Sequence, residues 1–310
     1  MSENSYFKST ALMGTIVTIR VVRNGEDPKE AIQCEEAVER AFEWFRQIEA
    51  RCTRFEEGSE VMRLSSQVGV AVPVSTILFE AVQFALAVAE ESGGAFDPTV
   101  GYAMESRGFD EEYRTRRRIR TVLGPPAPVS YRDVRLDPAR GTITLLRPLT
   151  LDLGAVAKGL AIDMAARELQ PWENFSIDAG GDLYLGGRSP KGEPWSVGIR
   201  HPRCASEMIE TLRVSDQAVC TSGDYERVST AEVGGHHILD PRTGASPHAS
   251  VSVTVMAPNA ILADAVATAA FVLGPSEGIQ LFERLGLDGV IISSSLERYA
   301  TERMYRASAC

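Results

Sequence analysis

DLGAVAKGLAIDMAARELQPWENFSIDAGGDLYL, residues 152–185, decides the fold. A helix starts at Gly154 or Ala155 and ends before Pro171, where the proline ring removes a main-chain donor. NFSID then reads as a buried strand entering the glycine turn AGGD at 179–182, and Leu183–Leu185 continues as another strand. The same mixture recurs on both sides. Upstream, Thr15–Val22 alternates and is β-branched, a strand after the turn at Gly14. From Glu30 to Cys52, apolar residues at Cys34, Val38, Phe42 or Ala41, Phe45, Ile48 and Cys52 form one helical stripe. A second helix spans Ser75–Glu91, with Leu78, Val82, Ala85 and Ala89 inward, and ends at Ser92-Gly93-Gly94. ITLLRP at 143–148 reads as a strand after the PPAP loop at 125–128. Downstream, strands are expected at Trp195–Ile199, Ala218–Thr221 and Val251–Met256, and helices at Ala260–Leu273 and Ser276–Leu285. Val290–Ser293 and Tyr299–Met304 read as a final hairpin. Helices mixed with antiparallel strands favour an α+β fold over a regular βαβ series.

Composition narrows the function. With 310 residues, 44% hydrophobic and 24% charged, the chain can bury one large core or two closely packed lobes. A net charge of -10 argues against a nucleic-acid partner, because backbone binding needs a cationic surface. The N-terminus has no basic region followed by an apolar stretch, and no segment reaches the about 18 apolar residues of a membrane span. The expectation is a cytoplasmic protein without membrane insertion. The five cysteines, Cys34, Cys52, Cys204, Cys220 and Cys310, lack metal-site spacing and fit buried thiols better than disulfides. Six arginines between Arg107 and Arg120, including Arg114, Arg116, Arg117 and Arg118, form either a solvated face or a docking patch for an acidic partner.

Three segments carry chemistry. In the first, Lys158 follows a glycine at a helix start, where its ammonium and the free helix amides can meet a phosphate; a capping aspartate with a solvent lysine is the plainer alternative. Neither a P-loop nor a GxGxxG fingerprint is present. In the second, Asp264 and Thr268 lie four residues apart in ILADAVATAAFVL and share a helix face. An acid inside so apolar a helix needs a partner, either a local donor or a hard cation such as Mg2+. In the third, HHILDPRTG at 236–244, His237 is the first choice for proton transfer and His236 the second. Arg242 can pair with phosphate oxygens there. CTSGDYER at 220–227 places Thr221, Ser222 and the Gly223 backbone where an anion pocket could form. A serine hydrolase is disfavoured, since Ser222 is not in GxSxG.

These segments together are familiar. DLGAVAKG at 152–159, DAGGD at 178–182, TSGDYE at 221–226, HHILDPRTG at 236–244 and ADAVAT at 263–268 resemble the ApbE family of FAD:protein FMN transferases. MGT at 13–15, RFEEGSEVMRLS at 54–65 and GGAFDPTVG at 93–101 extend the match over nearly the whole chain, in order. The resemblance implies an α+β, T-fold-related architecture with antiparallel sheets and packed helices, a single catalytic domain or two lobes with the FAD site between them. It implies Mg2+-dependent cleavage of the FAD pyrophosphate, with FMN joined to a Ser or Thr hydroxyl of a target protein and AMP released. FAD hydrolysis to FMN and AMP is the alternative activity, and a non-catalytic FAD carrier is the alternative class.

By position, the resemblance makes Asp264, Thr268 and the carbonyl of Ala155 metal ligands. It makes Met13, Phe55, Glu60, Asp97, Lys158, Asp163 and Asp178 contributors to the FAD pocket. Phe55 stands where many relatives have tyrosine. YAMESRGF at 102–109 replaces a tryptophan-containing segment, and no lipobox is present, which points to a soluble target such as a flavin-dependent reductase. Oligomeric state is not determined by these residues.

Overall fold

Secondary structure follows the local signals closely. The computed structural model describes residues 5–307 except 24, 26, 112–117, 120–127 and 230–233. Strand β1 (Ser5–Leu12) pairs antiparallel with β2 (Thr15–Val22) through a Met13–Gly14 turn with φ of 51° and 72°. Helix α1 (Pro28–Cys52) starts at Asp27, whose carboxylate accepts the Lys29 amide at 2.9 Å. Its stripe is buried, and both Ala41 and Phe42 face inward. Then come α2 (Glu60–Ser65), β3 (Ala71–Pro73) and α3 (Thr76–Glu91), the last capped by the Ser75 hydroxyl on the Leu78 amide. A 3-10 turn at Pro98–Val100 leads into α4 (Gly101–Ser106), followed by β4 (Val134–Asp137) and β5 (Thr142–Leu145).

The stretch from residue 152 behaves as read. It forms α5 (Gly154–Leu169), β6 (Phe175–Ala179) and β7 (Asp182–Gly186). Gly180 and Gly181 have φ of 69° and 97°, the two positive values a tight two-residue hairpin demands. The remaining elements are β8 (Trp195–Arg200), β9 (Met208–Val214), β10 (Gln217–Gly223), β11 (Ser250–Ala257), α6 (Ala260–Leu273), α7 (Pro275–Leu285), β12 (Asp288–Ser293), β13 (Arg298–Ala300) and α8 (Glu302–Ala307).

Eight strands form one antiparallel sheet in the order β1-β2-β6-β7-β10-β11-β12-β13. One face carries α5 and α6, with α1 and α3 packed against α5, and the main core lies between them. The other face carries the β8–β9 ribbon over a second apolar cluster that includes Leu185, Trp195, Leu212, Val219 and Ile292. The α+β expectation, with antiparallel sheets and packed helices, is the observed architecture.

Several expectations shift. The strand expected over 143–148 is β5, which stops at Leu145 ahead of Pro148. The last strand ends at Ala300, and a helix begins at Glu302 instead of a longer hairpin arm, with that acid in its favoured first turn. β1, β3, β4, β9, α2 and α4 have no counterpart among the expected elements. In β9, Leu212 and Val214 are buried, and the strand gains its stability from the ribbon's contact with the main sheet. Among the described residues, Cys34, Cys52, Cys204 and Cys220 are free thiols, and burial pushes Cys34 and Cys52 up to about 11 and 12. Arg114, Arg116, Arg117, Arg120, the PPAP loop up to residue 127 and Cys310 lie outside the described residues. No described helix is long and apolar enough to cross a membrane.

Candidate functional site

The starts of α5 and α6 meet because one residue between them has no side chain. A Cβ on Gly159 would sit 2.5 Å from the Ile261 Cα, so only glycine allows this approach. The contact brings Lys158 of α5 to Asp264 of α6, with Nζ 3.2 Å from Oδ2, and to Asp182 at the start of β7. Asp182 is 3% exposed, and its Oδ1 accepts the Thr221 amide at 3.1 Å. Asp264 is 4% exposed, and its Oδ2, though close to the ammonium, accepts no hydrogen bond. Two buried carboxylates thus share one ammonium.

Burial alone would lower the Lys158 pKa, but the two carboxylates outweigh it and hold the side chain charged. The shortfall falls on Asp264. Burial pushes its pKa up, Lys158 offsets part of the shift, and the Asp182 charge adds to it. One turn along α6, Thr268 lies with its hydroxyl 3.3 Å from that of Ser222. Ala155 is in the first turn of α5. Among the described residues no group of three His, Cys, Asp or Glu is placed to hold a metal. The expected set differs in kind, with one carboxylate, one hydroxyl and one carbonyl, a mixture of hard oxygens suited to Mg2+.

A second chain of contacts reaches His237. Asp152 accepts the Gly154 amide on Oδ1 and Arg54 Nε on Oδ2 at 2.6 Å, and its amide donates to the Pro98 carbonyl at 2.7 Å. Burial would raise the Asp152 pKa, but Arg54 pulls it below the usual range. Arg54 is 4% exposed, donates to the Phe109 carbonyl at 2.6 Å and lies 4.3 Å over the Phe55 ring. Phe109 meets His237 edge-on at 6.5 Å. The His237 amide is bound by the Arg227 carbonyl at 3.1 Å, while its ring Nδ1 is buried without a partner. Burial, then the positive charges of Arg227, His236 and Lys158, push its pKa down to about 3, so the imidazole is neutral at physiological pH.

The two adjacent histidines differ sharply. His236 is 2% exposed, lies between Phe271 and His248, and has Nε2 2.9 Å from the Pro247 carbonyl. A carbonyl can only accept, so Nε2 carries the proton. That ring holds the fold of its own loop.

Other expected pocket residues are occupied. Asp97 accepts the amide and hydroxyl of Thr99 and the Tyr131 amide. Glu60 accepts the amide and hydroxyl of Ser75, both at 2.6 Å, tying α2 to the start of α3. Asp163 accepts the Ala260 and Ile261 amides at 2.7 and 3.0 Å, and burial still pushes it up to about 6. Met13 donates its amide to Glu49 at 2.9 Å. Arg242 is bound fork to fork by Asp240, two residues away, with both contacts at 2.9 Å. Asp178 and Thr221 lie apart from Lys158: with Trp195 and Thr254 they line a cavity of about 340 Å³ under the ribbon, on the opposite sheet face.

Asp182, Arg54 and Arg227 were not singled out from sequence. For Asp182 a signal existed. Across the AGGD turn Ala179 pairs with Asp182, so strand alternation puts Asp182 on the buried face with Ile177 and Ala179, and Asp178 on the other.

Solved structures share this arrangement of sheet and helices. The ApbE protein of Thermotoga maritima superposes with a TM-score of 0.84 at 29% identity, covering 98% of this chain and 99% of that one. The flavin transferase ApbE of Vibrio cholerae does so at 0.81 and 25%, covering 98% and 99%. The ApbE family model matches residues 13–291, and the chain belongs to the ApbE family. A Treponema pallidum FAD:protein FMN transferase is 32% identical over 93% of this chain and 84% of its own length. A Haemophilus influenzae FAD:protein FMN transferase is 26% identical over 94% and 87%. Descent from a family whose named members are transferases makes the chain an enzyme.

Proposed function

We propose that this enzyme transfers FMN from FAD to a Ser or Thr hydroxyl of a target protein, with Mg2+ as cofactor and AMP as leaving group. The observation that carries the reading is the Lys158–Asp182–Asp264 cluster: two buried carboxylates, one ammonium and an Asp264 oxygen without a hydrogen bond. With both carboxylates ionised, such a cluster is short of positive charge by one, and a hard cation beside Thr268 and the Ala155 carbonyl would supply it. When bound, Mg2+ supplies charge stabilisation at the pyrophosphate oxygens. Lys158 adds a fixed positive charge against the same anion.

The acceptor oxygen bonds to the FMN-side phosphorus, the bridging P–O bond breaks, and AMP leaves with its electron pair. Neutral His237 takes the proton of the incoming hydroxyl. Its low pKa in the free protein leaves the imidazole unprotonated, and a pyrophosphate anion beside it would raise its basicity. Phe55, under the Arg54 guanidinium, offers a ring face to the isoalloxazine. Met13, at the β1–β2 turn, borders the same pocket in this reading, and Ser222, whose hydroxyl is 3.3 Å from that of Thr268, flanks the phosphates. The target is a soluble protein such as a flavin-dependent reductase.

The test incubates purified protein with FAD, Mg2+ and candidate acceptors. Covalent flavin on the acceptor with stoichiometric AMP is the expected result. FMN released equally without acceptor would instead show hydrolysis, and tight FAD binding without AMP would show a carrier. D264A is expected to abolish turnover and the dependence of melting temperature on Mg2+; unchanged Mg2+ stabilisation in that variant would remove Asp264 from the metal site.

A further inference from the structure

The TSGDYER segment ends in Arg227, after a turn whose two carboxylates are both paired with arginines. Asp224 is gripped by Arg203 through two contacts, Nη1–Oδ1 at 2.8 Å and Nη2–Oδ2 at 2.7 Å, and its amide donates to the Val251 carbonyl at 3.2 Å. Glu226 accepts Arg200 Nη2 at 2.8 Å, and the same guanidinium lies 4.9 Å over the Tyr225 ring. The Tyr225 hydroxyl is 3.3 Å from that of Ser252. Arg200 ends β8 and Arg203 lies in the turn between β8 and β9, so the ribbon ties residues 224–226 down.

The next residue is Arg227. Its carbonyl accepts the His237 amide at 3.1 Å, and Val228 bridges to His236, which fixes its backbone beside the imidazole proposed to take the proton. Its side chain is exposed, and among the described residues it has no carboxylate within ion-pair distance. The antiparallel bridge of Val228 to His236 sets Arg227 opposite His237, and residues paired across an antiparallel ladder put their side chains on the same face. Arg242, the cation that the HHILDPRTG motif suggests, is by contrast neutralised within its own turn by Asp240.

We propose that Arg227 is the guanidinium that grips the FAD pyrophosphate, held in place by the Arg200–Glu226 and Arg203–Asp224 clamps. A guanidinium presents two parallel donors that match two phosphate oxygens, a geometry that a lysine lacks. The inference rests on FAD being the substrate. It assigns the phosphate contact to a residue outside the histidine motif.

Calorimetric titration of FAD and of riboflavin, in buffer containing EDTA to prevent turnover, separates the possibilities. R227Q is expected to weaken FAD about tenfold, the scale of one lost charge-assisted contact. Riboflavin, which has no phosphate, should bind R227Q as it binds wild type. R227K should fall between wild type and R227Q, and R242Q should match wild type. FAD affinity in R227Q equal to wild type would overturn the assignment, as would equal loss of FAD and riboflavin or a tenfold loss in R242Q. Wild-type protein that bound no FAD would overturn the FAD reading itself, and the inference with it.

Discussion

His236 and His237 are adjacent, yet their rings sit in different surroundings. His236 donates to Pro247 and packs on Phe271, whereas His237 holds a neutral ring with no partner on Nδ1. H237N is therefore expected to lower AMP release by about a hundredfold or more, the scale of a lost general base, while FAD still binds. Full transfer by H237N would end the assignment. The same histidine makes stability depend on acid. Its folded pKa of about 3 lies below the 6.5 of an ordinary histidine, so the folded protein binds fewer protons between those values. Stability present above pH 6.5 is lost as pH falls towards 3. Thermal melts from pH 7 to 4.5 should fall more steeply for wild type than for H237N; parallel curves would contradict the depressed pKa.

Among the elements, the crossing of α5 and α6 matters most. Gly159 lets the two helices touch backbone to backbone, and Lys158 and Asp264 are neighbours only at that spacing. G159A puts a methyl group 2.6 Å from the Ala260 carbonyl oxygen, and overpacking of this kind costs about 1–3 kcal/mol. Alanine is the better helix former by about 1 kcal/mol, so a purely local view predicts the opposite sign. Urea unfolding should show G159A to be less stable than wild type, with reduced turnover; a more stable G159A would mean the helices can separate freely. The AGGD hairpin works on the same scale. Its two positive φ values set the register that turns Asp182 towards Lys158 and Asp178 away from it.

Across the whole molecule, the sheet has two faces with unequal cover. β11 is buried along nearly its entire length between β10 and β12, whereas β8 and β9 form a two-stranded ribbon held on the smaller apolar cluster. Hydrogen exchange should be slowest in β10 and β11 and faster in β8 and β9, since local opening follows the buried contacts a segment would lose. Equal protection of ribbon and centre would show one cooperative unit. Helix stripes, the glycine hairpin and the order of the motifs were legible in the chain, because each depends on periodicity or spacing among residues close in sequence. So was the family, from motifs spread over nearly the whole length. Tertiary structure alone decided which partner each charge takes: Glu60, Asp97 and Asp163 accept main-chain amides and Arg242 pairs with Asp240, while Asp182 pairs with Lys158. A buried charge takes its partner from whichever element packs within a few ångströms of it, and distance along the chain does not encode that.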